Sequence, residues 1–279
     1  MYYLLMVAAF FVFGALSVRF ACNRSQASFF GRETPGNALY FLTQGYVYSK
    51  FAVVITALLS FIALSGFHTR YSGLNLAHRY HLPAWAQLLA VVLVSDVWQY
   101  WAHRAFHNRW LWPFHAIHHA AREPDWITLF RNHPLNFLGY STTTALIIAA
   151  LGFSPVVLLY AGVANFAHSA LVHANLGWGF GPLRYVFTSP VTHRWHHCLA
   201  REARDKNFAP VFSLLDVIFG TFYAPIGRLP EVFGAEGVPE NFIGQMAHPF
   251  VALLGMLGTE TGNRTGRGMQ RSDPESRQS

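Results

Sequence analysis

Residues 84–107 read AWAQLLAVVLVSDVWQYWAHRAFH. Ala84–Ala102 is long and apolar enough to cross a bilayer core of about 30 Å as a single helix. Asp96, Tyr100, His103 and His107 follow one another at steps of four, three and four, which lines them up along one face of that helix. A carboxylate at membrane depth is expensive, so Asp96 is expected to be paired or functional. The expectation is that it orients a metal ligand through an imidazole N–H, with Tyr100 beside it in the same supporting role; pairing with an arginine is the plainer alternative. The stretch therefore predicts an all-α, polytopic membrane bundle whose helices carry histidines into a cytoplasmic helical cap.

The flanking sequence agrees with a bundle. Tyr3–Phe20 and Tyr46–Gly66 are two further candidate spans, and Phe137–Val172, with Gly152 and Pro155 near its middle, reads as a helical hairpin. That makes about four to five membrane helices or hairpin arms. The first stretch has no basic residue ahead of its apolar run, and its end, Arg19 to Cys22, fits no cleavage site, so it is expected to stay as an uncleaved helix. The 279 residues are 53% hydrophobic and 12% charged, with 25 Phe, 12 Tyr and 8 Trp, against about 25% charged in soluble domains. The net charge of +7 comes from arginines scattered among aromatics, which suits a membrane surface and not nucleic acid. Of the 20 Lys and Arg residues, this topology puts only Arg70 and Arg79 opposite the histidines, which places the histidines in the cytoplasm. Met246–Gly258 is too short to span and is expected in the interface; Thr259–Ser279 is expected to be disordered. The domain reading is 1–83 N-terminal membrane helices, 84–224 catalytic domain, 225–258 interfacial segment and 259–279 tail. The two cysteines, Cys22 and Cys198, support no disulfide framework or iron–sulfur site.

The chemistry lies in the histidines, of which there are 15. Eight fall in three tight groups: His103 and His107; His115, His118 and His119; His193, His196 and His197. Spacings of i,i+4 and i,i+3,i+4 put each group on one helical face. A lone pair at i,i+4 is commonplace, but two His-x-x-His-His triplets beside it predict a site for two ions, since one ion would leave half the imidazoles unused.

Asp96-x-x-x-Tyr100-x-x-His103-Arg104-x-x-His107, His115-x-x-His118-His119 and Thr192-His193-Arg194-x-His196-His197 together resemble the fatty acid hydroxylase superfamily, which includes sterol desaturases and C4-sterol methyl oxidases. The resemblance runs from about Trp85 to Tyr223 and extends to Arg131-Asn132-His133-Pro134, His173-Ala174-Asn175, Asp205-Lys206-Asn207-Phe208 and Asp216 to Thr221. It implies a centre of two Fe ions with O2 as co-substrate, acting on an unactivated C–H bond of a lipid. It implies the eight histidines as ligands, with His173 and, more weakly, His168 added, and Asn207 and Asp216 standing behind them. His133, held extended by Pro134, is expected to be structural or supporting, and His68, His78 and His81 fall on the far side. The sequence departs from relatives at Ala120, Ala121 and Glu123-Pro124-Asp125-Trp126, which bears on substrate choice.

The function expected is that of a membrane-bound di-iron oxidoreductase that hydroxylates or desaturates a lipid: sterol, hopanoid, fatty acyl or related. No dinucleotide fingerprint or haem-attachment motif occurs, so electrons are expected from a separate donor, a ferredoxin, cytochrome or reductase. The substrate is expected to enter laterally past Trp98, Trp101 and Phe106, residues that serve equally as packing or lipid-facing surface. A bacterial inner membrane is favoured over endoplasmic reticulum. The rivals are a membrane zinc hydrolase, which lacks its His-Glu-x-x-His, a bis-histidine haem carrier, and a non-catalytic protein with a structural di-metal site.

Overall fold

The computed structural model describes residues 2–29, 31–47, 50, 80–151, 153 and 155–269. Apart from residues 46, 47 and 50, the expected span at Tyr46–Gly66 lies outside them, as do His68, His78, Arg70 and Arg79. Among the described residues the fold is all-helical: the only β pairing is two isolated bridges, Ala21 with Leu176 and Cys198 with Phe233. The helices are α1 (Tyr2–Arg19), α2 (34–47), α3 (Ala84–Phe106), α4 (Trp112–His119), α5 (Pro134–Leu151), α6 (Pro155–His173), α7 (Pro190–His196), α8 (Leu214–Ile218) and α9 (Phe242–Met269).

Helix α3 is polar inside and apolar outside. Asp96, Tyr100 and His103 are buried, whereas Trp85, Leu89, Leu93, Val97 and Trp101, four residues apart, are exposed; Trp85 shows 71% of its surface and Asp96 2%. Helix α2 has the same inversion, burying Asn37, Tyr40 and Gln44 while Leu39, Leu42 and Tyr46 face outward. An apolar stripe on the outside is stable where the surroundings are themselves apolar, so the pattern fits lipid contact.

Helices α5 and α6 follow one another and both pack on α3, and Pro155 opens the second at a position where a missing N–H costs nothing. Between them, Phe153 packs with Val157 and Ala161 on Val91 of α3. By length and composition, Val156–His173 is the one described segment long and apolar enough to cross a membrane. A second core lies beneath the histidines, where Ile117, Trp126, Phe130, Ala170 and Leu176 pack with Ala9 and Tyr40.

The short helices are set by their first residues. In α7, Ser189 Oγ accepts from Thr192 N (3.1 Å) and Thr192 Oγ1 accepts from Ser189 N (2.7 Å), a reciprocal cap just before Pro190. Helix α4 carries Pro113 in its first turn, and the 3-10 turn Trp126–Phe130 is capped in the same reciprocal way by Asp125. Helix α9 is continuous through Met269, past the apolar stretch that ends at Gly258; residues 270–279 lie outside the described part.

Candidate metal centre

Nine histidines, eight of them buried and His107 half-buried, converge in two groups. His103, His107, His115, His119 and His196 form one, and His118, His173, His193 and His197 the other; within each, the candidate ligand nitrogens all lie within 4.8 Å of one another. The triplets are shared between them. From α4, His115 and His119 go to the first group and His118 to the second; from α7 and its C-cap residue His197, His193 and His197 go to the second and His196 to the first. An i,i+4 pair points one way and the i+3 residue is turned aside, so each His-x-x-His-His serves both groups. The rings interleave at the junction: His119 stacks on His197 at 4.5 Å between centroids, and His118 lies 4.6 Å from His197.

The nitrogens are directed as ligands are. In the first group, His115 Nε2 lies 3.0 Å from His103 Nε2 and 3.2 Å from His119 Nε2; in the second, His173 Nε2 lies 3.2 Å from His118 Nε2 and 3.0 Å from His193 Nε2. Nitrogens sharing one ion at about 2.1 Å and set at right angles are about 3 Å apart, so the spacing suits shared ions. The pair His118 and His173 carries the test of fit. His118 Nδ1–H donates to the Arg131 carbonyl (3.2 Å) and His173 Nδ1–H to the Ser169 carbonyl (2.7 Å). A carbonyl only accepts, so in both neutral rings the proton is on Nδ1 and two Nε2 lone pairs face each other with nothing between them. A cation resolves that contact. A proton is disfavoured, because burial, followed by repulsion from neighbouring imidazoles, pushes His115, His118, His119, His193, His196 and His197 well below the ordinary histidine value. The residues present therefore fit a pair of metal ions.

Residues 88–221 match the family model described as fatty acid hydroxylase, and that stretch holds all nine histidines. This segment is a fatty acid hydroxylase domain. The chain is 30% identical over 170 residues to the ornithine lipid hydroxylase OlsE of Rhizobium tropici, covering 60% of this chain and 51% of that protein. It is 32% identical over 130 residues to the alkylglycerol monooxygenase of Homo sapiens, covering 46% and 29%, and 26% identical over 160 residues to methylsterol monooxygenase 2-2 of Arabidopsis thaliana, covering 54% and 59%. In each case the chain spans less than two thirds of the relative's length. No solved structure gives a significant match.

One loop of the fatty acid hydroxylase domain holds the outer side of the first group. His103 Nδ1 donates to Phe208 O (2.8 Å), His196 Nδ1 to Lys206 O (2.7 Å), and His107 Nδ1 lies 3.1 Å from Asp205 Oδ1. The hydrogen bond from His107 keeps the Asp205 carboxyl below its usual range. Three of five rings thus take their orientation from residues 205–208, a loop that passes through left-handed backbone at Asp205 (φ 56°) and Asn207 (φ 57°). Aspartate and asparagine tolerate that region better than other side-chain-bearing residues. Asn207 secures the turn: its Nδ2 donates to Thr192 O (2.9 Å) and Tyr223 O (2.6 Å), and its Oδ1 accepts from Tyr223 N (2.7 Å). Asp216 accepts from Phe208 N and Ala209 N and from Thr221 Oγ1, which in turn bonds the Tyr100 hydroxyl at 2.9 Å. Tyr100, Asn207 and Asp216 therefore support the loop that supports the imidazoles and touch no ring nitrogen themselves.

Asp96 departs from expectation. Its carboxylate accepts from Val211 N (2.7 Å) and Phe212 N (3.0 Å) and orients no histidine; it is satisfied by two backbone amides that enter the bundle beside α3. His168 belongs to neither group, its ring being hydrogen-bonded to the Pro210 backbone. His133 bridges the backbone, accepting from Leu135 N at Nδ1 and meeting Met246 O at Nε2 (3.3 Å), which is structural. His81 also stands outside both groups. Of the aromatic residues at the expected entrance, Trp98 donates to Thr143 Oγ1 and Phe106 stacks on Tyr140, so both are packing groups, while Trp101 is half exposed on the outer stripe. Sequence reasoning missed the Lys206, Phe208 and Arg131 carbonyls, which carry no residue-type signal; the paired Asx residues at 205 and 207 were the available hint. A cavity of about 400 Å³ reaches the centre, with His107, His119, His196 and His197 on its wall.

Proposed function

We propose that the protein is a membrane-bound, di-iron, O2-dependent oxidoreductase that hydroxylates or desaturates a C–H bond of a lipid. The observation that supports this most is the confrontation of His118 and His173 within two groups of buried, neutral imidazoles, in a domain whose relatives are named as lipid hydroxylases and monooxygenases. His103, His107, His115, His119 and His196 would hold one iron and His118, His173, His193 and His197 the other. Iron is preferred to the other metals that imidazole accepts because of the family. When bound, the iron pair supplies the splitting of O2 and the oxidation of a strong aliphatic C–H bond; in hydroxylation one oxygen atom enters the product and the other leaves as water, taking electrons and protons from outside.

The protein's own part is positional. Carbonyl and carboxylate partners behind the rings fix which nitrogen faces inward, burial keeps the rings unprotonated, and the cavity past His107, His119, His196 and His197 gives a ligand access to them. The apolar stripe of α3 seats the domain in lipid, with α1, α3, α5 and α6 crossing a bacterial inner membrane and the histidines on the cytoplasmic side. A separate donor, a ferredoxin, cytochrome or reductase, docks on the basic cytoplasmic face. Residues 84–224 form the catalytic unit in this reading, 1–83 the membrane helices before it, 225–258 an interfacial segment and 259–279 the tail.

The test is metal per chain in detergent-purified protein, with His196→Ala/His197→Ala alongside. The reading expects about two irons, lost in the double variant, which removes a ligand from each group. One zinc indifferent to those histidines would overturn it.

A further inference from the structure

The cavity against the histidines has a mixed-charge rim: Arg109, Arg204, Asp205 and Glu236 all line it. Its volume of about 400 Å³ has room for roughly a dozen water-sized groups, enough for a lipid's polar end and a few carbons but not for a long acyl chain. One side is made by Met256 of α9. The opposite face of that helix presents Ile243, Phe250, Val251, Leu254 and Leu257 to the outside, as a helix lying in the membrane interface does. With α9 in the interface, as proposed above, the cavity would open at the depth of lipid headgroups, with candidate ligand imidazoles on its wall.

We infer that this cavity takes the zwitterionic polar end of a membrane lipid, so that the carbon oxidised lies within a few bonds of the headgroup. This rests on the lipid-oxygenase reading above and names its substrate class. Guanidinium groups at the rim suit an anionic headgroup atom, and the Glu236 carboxylate suits a cationic one. All four side chains are exposed at the rim, so a purely anionic headgroup meets repulsion from the acids and an uncharged one gains no ion pairing there. Asp205 is already engaged with His107, so the discriminating pair is Arg204 and Glu236.

The experiment uses the full chain in detergent, loaded with iron, and measures retention of dioleoyl phosphatidylethanolamine, dioleoyl phosphatidylglycerol, dioleoylglycerol and soluble glycerophosphoethanolamine. The zwitterionic lipid should be held at least tenfold better than the other three. Arg204→Ala/Glu236→Ala should bring it down to the level of dioleoylglycerol with metal content unchanged. Equal retention of dioleoylglycerol, preference for phosphatidylglycerol, or indifference to the double variant overturns the proposal. Binding of the soluble headgroup as tightly as the lipid assigns the cavity to a water-soluble ligand and overturns it too. Metal content separates the two readings: zwitterion selectivity without transition metal removes the oxygenase and keeps the headgroup site, whereas oxidation without headgroup preference does the reverse.

Discussion

Asn207→Ala removes three hydrogen bonds from the loop behind the first histidine group and leaves a β-carbon in left-handed backbone. The bonds lost are those to Thr192 O, to Tyr223 O and from Tyr223 N, at 2.9, 2.6 and 2.7 Å. Each contributes about 1 kcal/mol net, so about 3 kcal/mol goes with the side chain; the bond to Thr192 O is buried and the two to Tyr223 are half-buried. Left-handed geometry adds about 1–2 kcal/mol for alanine. The sum, about 4–5 kcal/mol, is a large part of a typical domain's stability of about 5–15 kcal/mol. Asn207→Gly loses the same bonds without the steric penalty and should be the milder change by about 1 kcal/mol. The effect on the metal should be lopsided. The Lys206 and Phe208 carbonyls orient His196 and His103 of the first group, whereas His118 and His173 of the second lean on Arg131 and Ser169. Loss of such partners weakens binding about 10–100-fold. Thermal unfolding and iron retention under a chelator read both effects: wild type should resist, and the alanine variant should give up about half its iron at a chelator level that spares the rest. Glycine proving worse than alanine, or both ions leaving together, would refute the reasoning.

His118→Ala and His115→Ala should each perturb one ion of the pair and not the other, since they belong to different groups; Mössbauer spectra of iron-57 protein should show one altered quadrupole doublet in each. Asp96→Asn exchanges one acceptor for a donor facing a backbone N–H and should destabilise by about 2–3 kcal/mol while leaving those spectra unchanged; a shifted spectrum with unchanged melting would restore a ligand-orienting role. Metal-free protein should weaken in acid. Six imidazoles outside the spans have folded values depressed below the unfolded one near 6.5, so above that pH neither state is protonated. Below it only the unfolded chain gains protons, and stability falls by up to about 1.4 kcal/mol per pH unit per ring until the folded values are reached. Denaturation midpoints flat from pH 8 down to 5 would contradict this.

The spacing of the three histidine groups shows in the sequence because helical periodicity is local: i, i+3 and i+4 put the rings on one face wherever the helix goes. Their division into two clusters does not, because it depends on how α4 and α7 are turned toward each other. The outward stripe of α3 was equally open to reading at four-residue steps, and the break between α5 and α6 showed in Gly152 and Pro155. Asp96 was misread for a physical reason. A buried carboxylate announces that it has a partner, but backbone N–H groups at 211 and 212 look the same in every sequence. His173 and His168 were both candidates five residues apart, and a helix can aim only one of them at the centre; the one chosen is the last residue of α6.

The face-to-face lone pairs of His118 and His173 bear on how the protein is made. On the di-iron reading, a chain that reached the membrane before iron would carry that contact unrelieved, and ion binding would act as the closing step of maturation. Cells short of iron should then hold less of this protein, cleared by quality control, instead of a dormant pool waiting for metal.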